Sequence, residues 1–187
     1  NHCHLTVNRF SDGKRFISGN QCQKGLGVDG GESLPNLHAW KRDYLSSLKP
    51  VCGNRGRIGI PMALSTYEFA PLWYTLFTQL GFEVHFSKQS NRNTYEKGQF
   101  TIPSDTACYP AKIMHGHIIE LIQDGMDVLF YPGLTYNVDE GASDNHFNCP
   151  VVAYYGELLK GNMDILSTVN FMNPYLSVNN KKELANT

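Results

Sequence analysis

Five cysteines, at positions 3, 22, 52, 108 and 149, carry the widest chemical repertoire in this chain. Their odd number and scattered placement do not read as a secreted disulfide framework. Free thiols in a reducing cytoplasm, open to metal or redox work, fit better. Cys108 stands two residues before Pro110, and Pro110 suits the first position of a helix. Cys108 is thus predicted at a helix N-terminus, where backbone N–H groups and the helix dipole favour a thiolate. The alternative is a small buried apolar residue. His115 follows inside the apolar stripe Ala111, Met114, Ile118, Leu121 and Ile122, so it reads as a hydrogen-bonded core histidine. His117 points elsewhere, and His-x-His lacks the four-residue step that lets two imidazoles share one metal on a helix.

Two other thiols invite a metal reading. Leu5–Phe10 and Arg15–Ser18 read as a hairpin around Ser11-Asp-Gly13, with Cys3 just before it and Cys22 just after. Antiparallel return would bring Cys3 and Cys22 together as a half-site for zinc or a cluster, with His2 or His4 adding a ligand. Two ordinary thiols at the ends of a hairpin explain the pair equally well, since a four-ligand zinc motif needs a second close pair. Cys149 precedes Val151-Val-Ala153, a run read as a brief strand, and is therefore expected at the sheet edge opposite Cys108.

Other chemistries find little footing. The Gly53–Gly56 and Gly25–Gly30 segments lack the lysine and the strand-then-helix setting of a phosphate loop. There is no Gly-x-Ser-x-Gly elbow. Glu68 with Glu120, and Asp139 with Glu140, are not distinguishable from solvated surface. A formal net charge of −1 draws the chain neither to nucleic acid nor to an anionic membrane. No run approaches the ~18 apolar residues of a membrane span.

The elements that would position these groups follow from periodicity. The chain has 187 residues, 41% hydrophobic and 18% charged, enough for one substantial domain with an appendage. Residues 1–36 read as the hairpin and a Gly-rich linker; residues 37–187 read as an α/β domain. Within it, a short helix spans about 38–48. Ile58, Ile60 and Met62 alternate as a strand that Pro61 demotes towards an edge position or a bend. A helix carries Leu72, Trp73, Leu76, Phe77 and Leu80 on one face, and Phe82, Val84 and Phe86 form a half-buried strand. After one or two helical turns at 94–100 comes the organising helix from Pro110 to Gly125, with Lys112, Gly116, Glu120 and Gln123 on its polar side. The strand Val128–Tyr131, a long polar loop over 134–148, a helix over 156–163 and a strand over 165–171 complete the pattern. The tail from Val178 is polar and expected to fray. Alternating strands and helices predict a three-layer parallel sheet of the Rossmann-like or flavodoxin-like kind. Ligands would gather at the strand exits, at 65–68, 87–90, 106–109, 133–136 and 154–156. A chain opening on Asn is expected to be part of a longer multidomain protein.

Several motifs together resemble a known segment: Ile60-Pro-Met-Ala-Leu-Ser-Thr-Tyr-Glu68, Phe69–Phe77, Ile102-Pro-Ser-Asp-Thr-Ala-Cys-Tyr-Pro-Ala-Lys112, His115-Gly-His117, Phe130-Tyr-Pro132 and Asp144-Asn-His-Phe-Asn-Cys-Pro150. The chain is similar to the uncharacterised domain of bacterial CoA-substrate-specific enzyme activases, related to the 2-hydroxyacyl-CoA dehydratase system. The resemblance covers most of the chain. It implies a non-ATPase module, with ATP handled by separate domains of the same polypeptide and a dehydratase-like partner. It also implies one Rossmann-like lobe of an iron–sulfur site. Carried over residue by residue, it points to Cys108, with Tyr109 beside it, and to Cys149 as cofactor contacts. Family members commonly read Tyr-Pro-Cys where this chain has Tyr131-Pro132-Gly133. The implied cluster site is therefore incomplete here, with further ligands supplied by another lobe. The competing expectation is a docking module without chemistry of its own.

Overall fold

The computed structural model describes residues 4–20 and 34–186. They fall into two compact units, residues 1–42 and 43–187. In the first, β1 (Thr6–Arg9) and β2 (Arg15–Ser18) pair antiparallel with Val7 opposite Ile17. Gly13, at φ +81, makes the turn that an L side chain would resist. The Cys3/Cys22 half-site lies outside the described residues. Asn36 caps α1 (Leu37–Ser47), its side chain accepting from the Ala39 N–H at 3.0 Å.

The second unit is built on a four-stranded parallel sheet. Its strands are β3 (Arg57–Ile60), β4 (Glu83–Phe86), β5 (Val128–Phe130) and β7 (Asn170–Met172), in the order β4-β3-β5-β7. The helices are α2 (Leu64–Glu68), α3 (Ala70–Gln79), α4 (Arg92–Gly98), α5 (Tyr109–Gln123), α6 (Pro150–Asn162) and α7 (Lys181–Asn186). A small parallel pair, β6 (Gly133–Leu134) with β8 (Tyr175–Leu176), extends the rim. This is the Rossmann-like or flavodoxin-like layout that the alternation predicts.

Strand alternation divides the core in two. Ile58, Ile60, Val84 and Phe130 cluster with Trp73 and Phe77 of α3, where Phe130 meets both rings edge-on at centroid distances of 5.1 and 4.7 Å. Leu129 and Tyr131 face the other way, under Met114, Ile118 and Leu121 of α5 and Tyr155 and Leu159 of α6. β3 is an interior strand, so of the edge position or bend that Pro61 suggested the edge is excluded. It stops at Ile60, so the proline's missing N–H falls just past the ladder.

Four further expectations are corrected. The Val151–Ala153 run is the first turn of α6, started by Pro150. A three-residue apolar run cannot by itself distinguish strand from buried helix. The strand over 165–171 is confined to Asn170–Met172, because Asp164–Thr168 closes into a 3-10 helix. Part of the polar tail, Lys181–Asn186, is helical. Finally, the polar side of α5 is only partly solvated: Gln123 is exposed and Lys112 half-buried, but Gly116 and Glu120 are buried, as is His117, under α4.

The approach of α4 to α5 explains that burial. A Cβ built at Gly116 would sit 1.7 Å from the Thr94 carbonyl oxygen, and one at Gly98 would sit 2.4 Å from the Gly116 nitrogen. The two glycines let backbone meet backbone. Gly116→Ala is therefore expected to lower stability by at least about 2 kcal/mol in urea titration. Gly161→Ala, on α6 with nothing within 4 Å of the added carbon, should raise it by about 0.5–1 kcal/mol. Equal midpoints for the two variants would refute the close-contact explanation.

Candidate functional site

The sheet order reverses between β3 and β5, and in open α/β sheets that reversal opens a crevice at the strand exits. Here it is a cavity of about 280 Å³, walled by Met62, Ala63, Leu64, Ser90, Tyr109 and Pro110. Leu64 adopts φ +52, the one positive φ at a non-glycine among the described residues. A bulky residue held there is strained, and such strain collects at ligand sites.

Both thiols of interest stand at helix starts. Cys108 is the N-cap of α5 at φ −64, ψ 152, and Cys149 is the N-cap of α6 at φ −62, ψ 154. Each is exposed, and each carbonyl accepts its helix's first backbone bond, from Ala111 and Ala153 at 3.0 Å. Neither side chain makes a capping bond, and a proline follows in the first turn of both helices. Cys149 is thus not at the opposite edge from Cys108. The loop at 134–148 doubles back through an antiparallel Tyr136–Phe147 bridge and the Asn148 N–H to Thr135 carbonyl bond, returning Cys149 to the rim from which it left.

Behind the thiols runs a buried polar chain. The Thr101 hydroxyl donates to the Gly98 carbonyl at 2.8 Å, and its oxygen lies 2.7 Å from His115 Nδ1. His115 Nε2 lies 2.9 Å from the Tyr155 hydroxyl, which joins the second turns of α5 and α6. Burial holds His115 down to about 4, so the imidazole is neutral at pH 7. Tyr155 is pushed up to about 12, first by burial and then by the charge of Cys108. Tyr131 is raised further, by burial and then by the charges of Tyr155 and Cys149. Tyr131 is fully buried and its hydroxyl has no hydrogen-bond partner, an omission that costs about 1–3 kcal/mol.

A second buried polar set serves packing. Glu120 accepts from Lys97 Nζ at 3.0 Å and from the Thr94 hydroxyl at 3.3 Å, and His117 Nε2 pairs with Ser90 Oγ at 2.8 Å. Burial lowers His117 to about 4, with Glu120 opposing the shift. These bonds fasten α4, and the Ser90 wall of the cavity, to α5.

No three His, Cys, Asp or Glu side chains converge as a metal site among the described residues. Position 133 could not supply a third ligand without rearrangement. A Cβ there would lie 2.8 Å from both the Ala153 carbonyl oxygen and the Tyr175 ring. Tyr109 lines the cavity and stacks on Tyr95 at 5.6 Å. Cys52 is exposed and distant in sequence from any rim segment. A larger cleft of about 720 Å³ lies against α3 between Leu76, Phe130, Met172 and Leu184. Lys181 is its one charged wall residue, and neither cleft is lined by a thiol.

The model of one family, described as the CoA enzyme activase uncharacterised domain, matches residues 57–187, from the first residue of β3 onward. The chain belongs to that family. No curated protein and no solved structure matches it. The activase domain proper is thus the parallel sheet with its rim. No helix among the described residues is long and apolar enough to cross a membrane.

Cys108, Tyr109 and Cys149 lie on this activase-domain rim, whereas Thr101, Tyr131 and Tyr155 were not singled out from sequence. Their one signal is a hydroxyl in an apolar setting, as in Leu129-Phe-Tyr131 and Tyr154-Tyr155. Both histidines being buried neutral, the unfolded chain takes up their protons first as pH falls. Stability should therefore drop between pH 6.5 and 4, by up to about 3 kcal/mol per histidine. Urea midpoints measured across that window test this. A flat profile would contradict the burial of both rings.

Proposed function

We propose that this domain is a non-ATPase module of a CoA enzyme activase, and that Cys108 and Cys149 are two thiolate ligands of an iron–sulfur site completed from outside this chain. The supporting observation is the matched pair of exposed, uncapped thiols, each at the start of a helix of thirteen or more residues on one rim. The dipole at a helix start is complementary to a bound anion. Two thiolates fit half of the four that such a cluster takes, and Gly133 leaves the set open. When bound, the cluster supplies one-electron chemistry to the CoA-ester reaction of the larger system. The residues of this chain fix the thiols at a separation set by α5 and α6, and both thiols are exposed. Its partners would be the ATPase domains of its own polypeptide and a dehydratase-like protein, in a cytoplasm reducing enough to keep the thiols free.

The test is anaerobic reconstitution with iron, sulfide and a small thiol, in a background with Cys3, Cys22 and Cys52 replaced by Ser. Broad thiolate-to-iron absorption should develop, and should fall sharply in Cys108→Ser and in Cys149→Ser. A colourless protein, or colour unchanged in both variants, overturns the proposal and leaves a docking module.

A further inference from the structure

The two core clusters are covered unequally. Buried residues of α5 and α6 cover one, whereas the other draws its buried helical residues from α3 alone. Strands lie about 4.8 Å apart and a helix with its side chains is about 10–12 Å across, so one helix cannot roof four strands. The shortfall falls at β5 and β7, where Phe130 and Met172 are register partners and so share a face. There the cleft of about 720 Å³ opens, with those two side chains and Leu176 in its walls. To these α3 adds Leu72 and Leu76, one turn apart and each 41% exposed, and α7 adds Leu184 and Ala185. A space of that size lies within the range that encloses small molecules, about 300–1,000 Å³.

Three wall residues carry polar side chains, and none is acidic. The Asn173 amide is turned to Glu157, donating to its Oε1 at 3.1 Å. The Trp73 indole is fully buried, and its N–H has no acceptor. Lys181, exposed at the start of α7, has no carboxylate partner among the described residues. Indole and ammonium groups donate only, so both uncommitted groups of this wall call for an acceptor.

We infer that this cleft binds an apolar monocarboxylate, its hydrocarbon body lying along Leu72, Leu76, Phe130, Met172 and Leu184 and its carboxylate paired with Lys181. A carboxylate is acceptor-only and matches the single cation. A neutral hydrocarbon would leave that cation unused, and a phosphate ester would bring a second negative charge that no wall residue meets. The body gains by covering leucines that α3 leaves in water, at about fourfold in affinity per buried methylene. This site is separate from the two-thiolate reading and needs nothing from it.

Trp40→Phe leaves Trp73 as the chain's one tryptophan, so its emission reports on the cleft wall. The probes are octanoate, decanoate and the neutral 1-octanol, titrated at constant ionic strength. Trp73 emission should change saturably, with decanoate bound about fifteenfold more tightly than octanoate. Lys181→Gln should weaken octanoate about two- to fivefold, the range for an exposed ion pair, and leave 1-octanol unchanged. Leu76→Gln and Leu72→Gln should each weaken all three probes, with urea midpoints near the parent's because both side chains are partly exposed. Emission that no probe changes, or affinity indifferent to chain length, overturns the inference. Equal losses of octanoate and 1-octanol in Lys181→Gln overturn it too. So does binding untouched by both leucine variants, which would put the guest elsewhere.

Discussion

The rim depends on one buried contact, the 2.9 Å hydrogen bond between His115 Nε2 and the Tyr155 hydroxyl. It joins helices that otherwise meet through apolar side chains over Leu129 and Tyr131. Hydrophobic packing is non-directional and tolerates sliding, whereas a buried hydrogen bond allows little. Breaking it would strand two polar groups away from water, at about 1–3 kcal/mol each. His115 lies seven residues after Cys108 and Tyr155 six after Cys149, the thiols that start their own helices. Fixing the second turns therefore fixes the helix starts.

The rest of the fold serves that arrangement. A parallel sheet with right-handed crossovers must deliver helix N-termini to one edge, so two capping thiols on α5 and α6 cannot avoid sharing it. The glycine notch at Gly98 and Gly116 lets α4 press against α5, carrying Thr101 to His115 and Ser90 to His117. Strain at Leu64 and unmatched hydroxyls at Ser65 and Tyr131 are then local faults of the rim. Faults of that kind concentrate where structure has been kept for a ligand rather than for stability.

Much of the architecture was legible because it rests on strong periodic signals. The alternation of Phe82, Val84 and Phe86 and the apolar stripe of α5 led to the right elements, and Pro110 marked the helix start that places Cys108. The same signal stood at Pro150 and lost to the neighbouring valines, so Cys149 was assigned to the wrong edge. Three β-branched or small apolar residues fit either element. The close packing of α4 was not legible either. Gly116 reads as a weak spot in a helix until the backbone of Thr94 is seen against it. The bonded hydroxyl of Tyr155 and the unmatched one of Tyr131 were invisible for a related reason: a tyrosine in an apolar run looks like core, and only coordinates reveal which hydroxyl finds a partner.

The most direct measurement of the central claim is intramolecular crosslinking of Cys108 to Cys149 with a short bis-maleimide, with Cys3, Cys22 and Cys52 replaced by Ser. The account predicts rapid formation of a single crosslinked monomer, slowed when Tyr155→Phe releases the helix starts from each other. Two independently blocked thiols, or crosslinking indifferent to Tyr155→Phe, would contradict it.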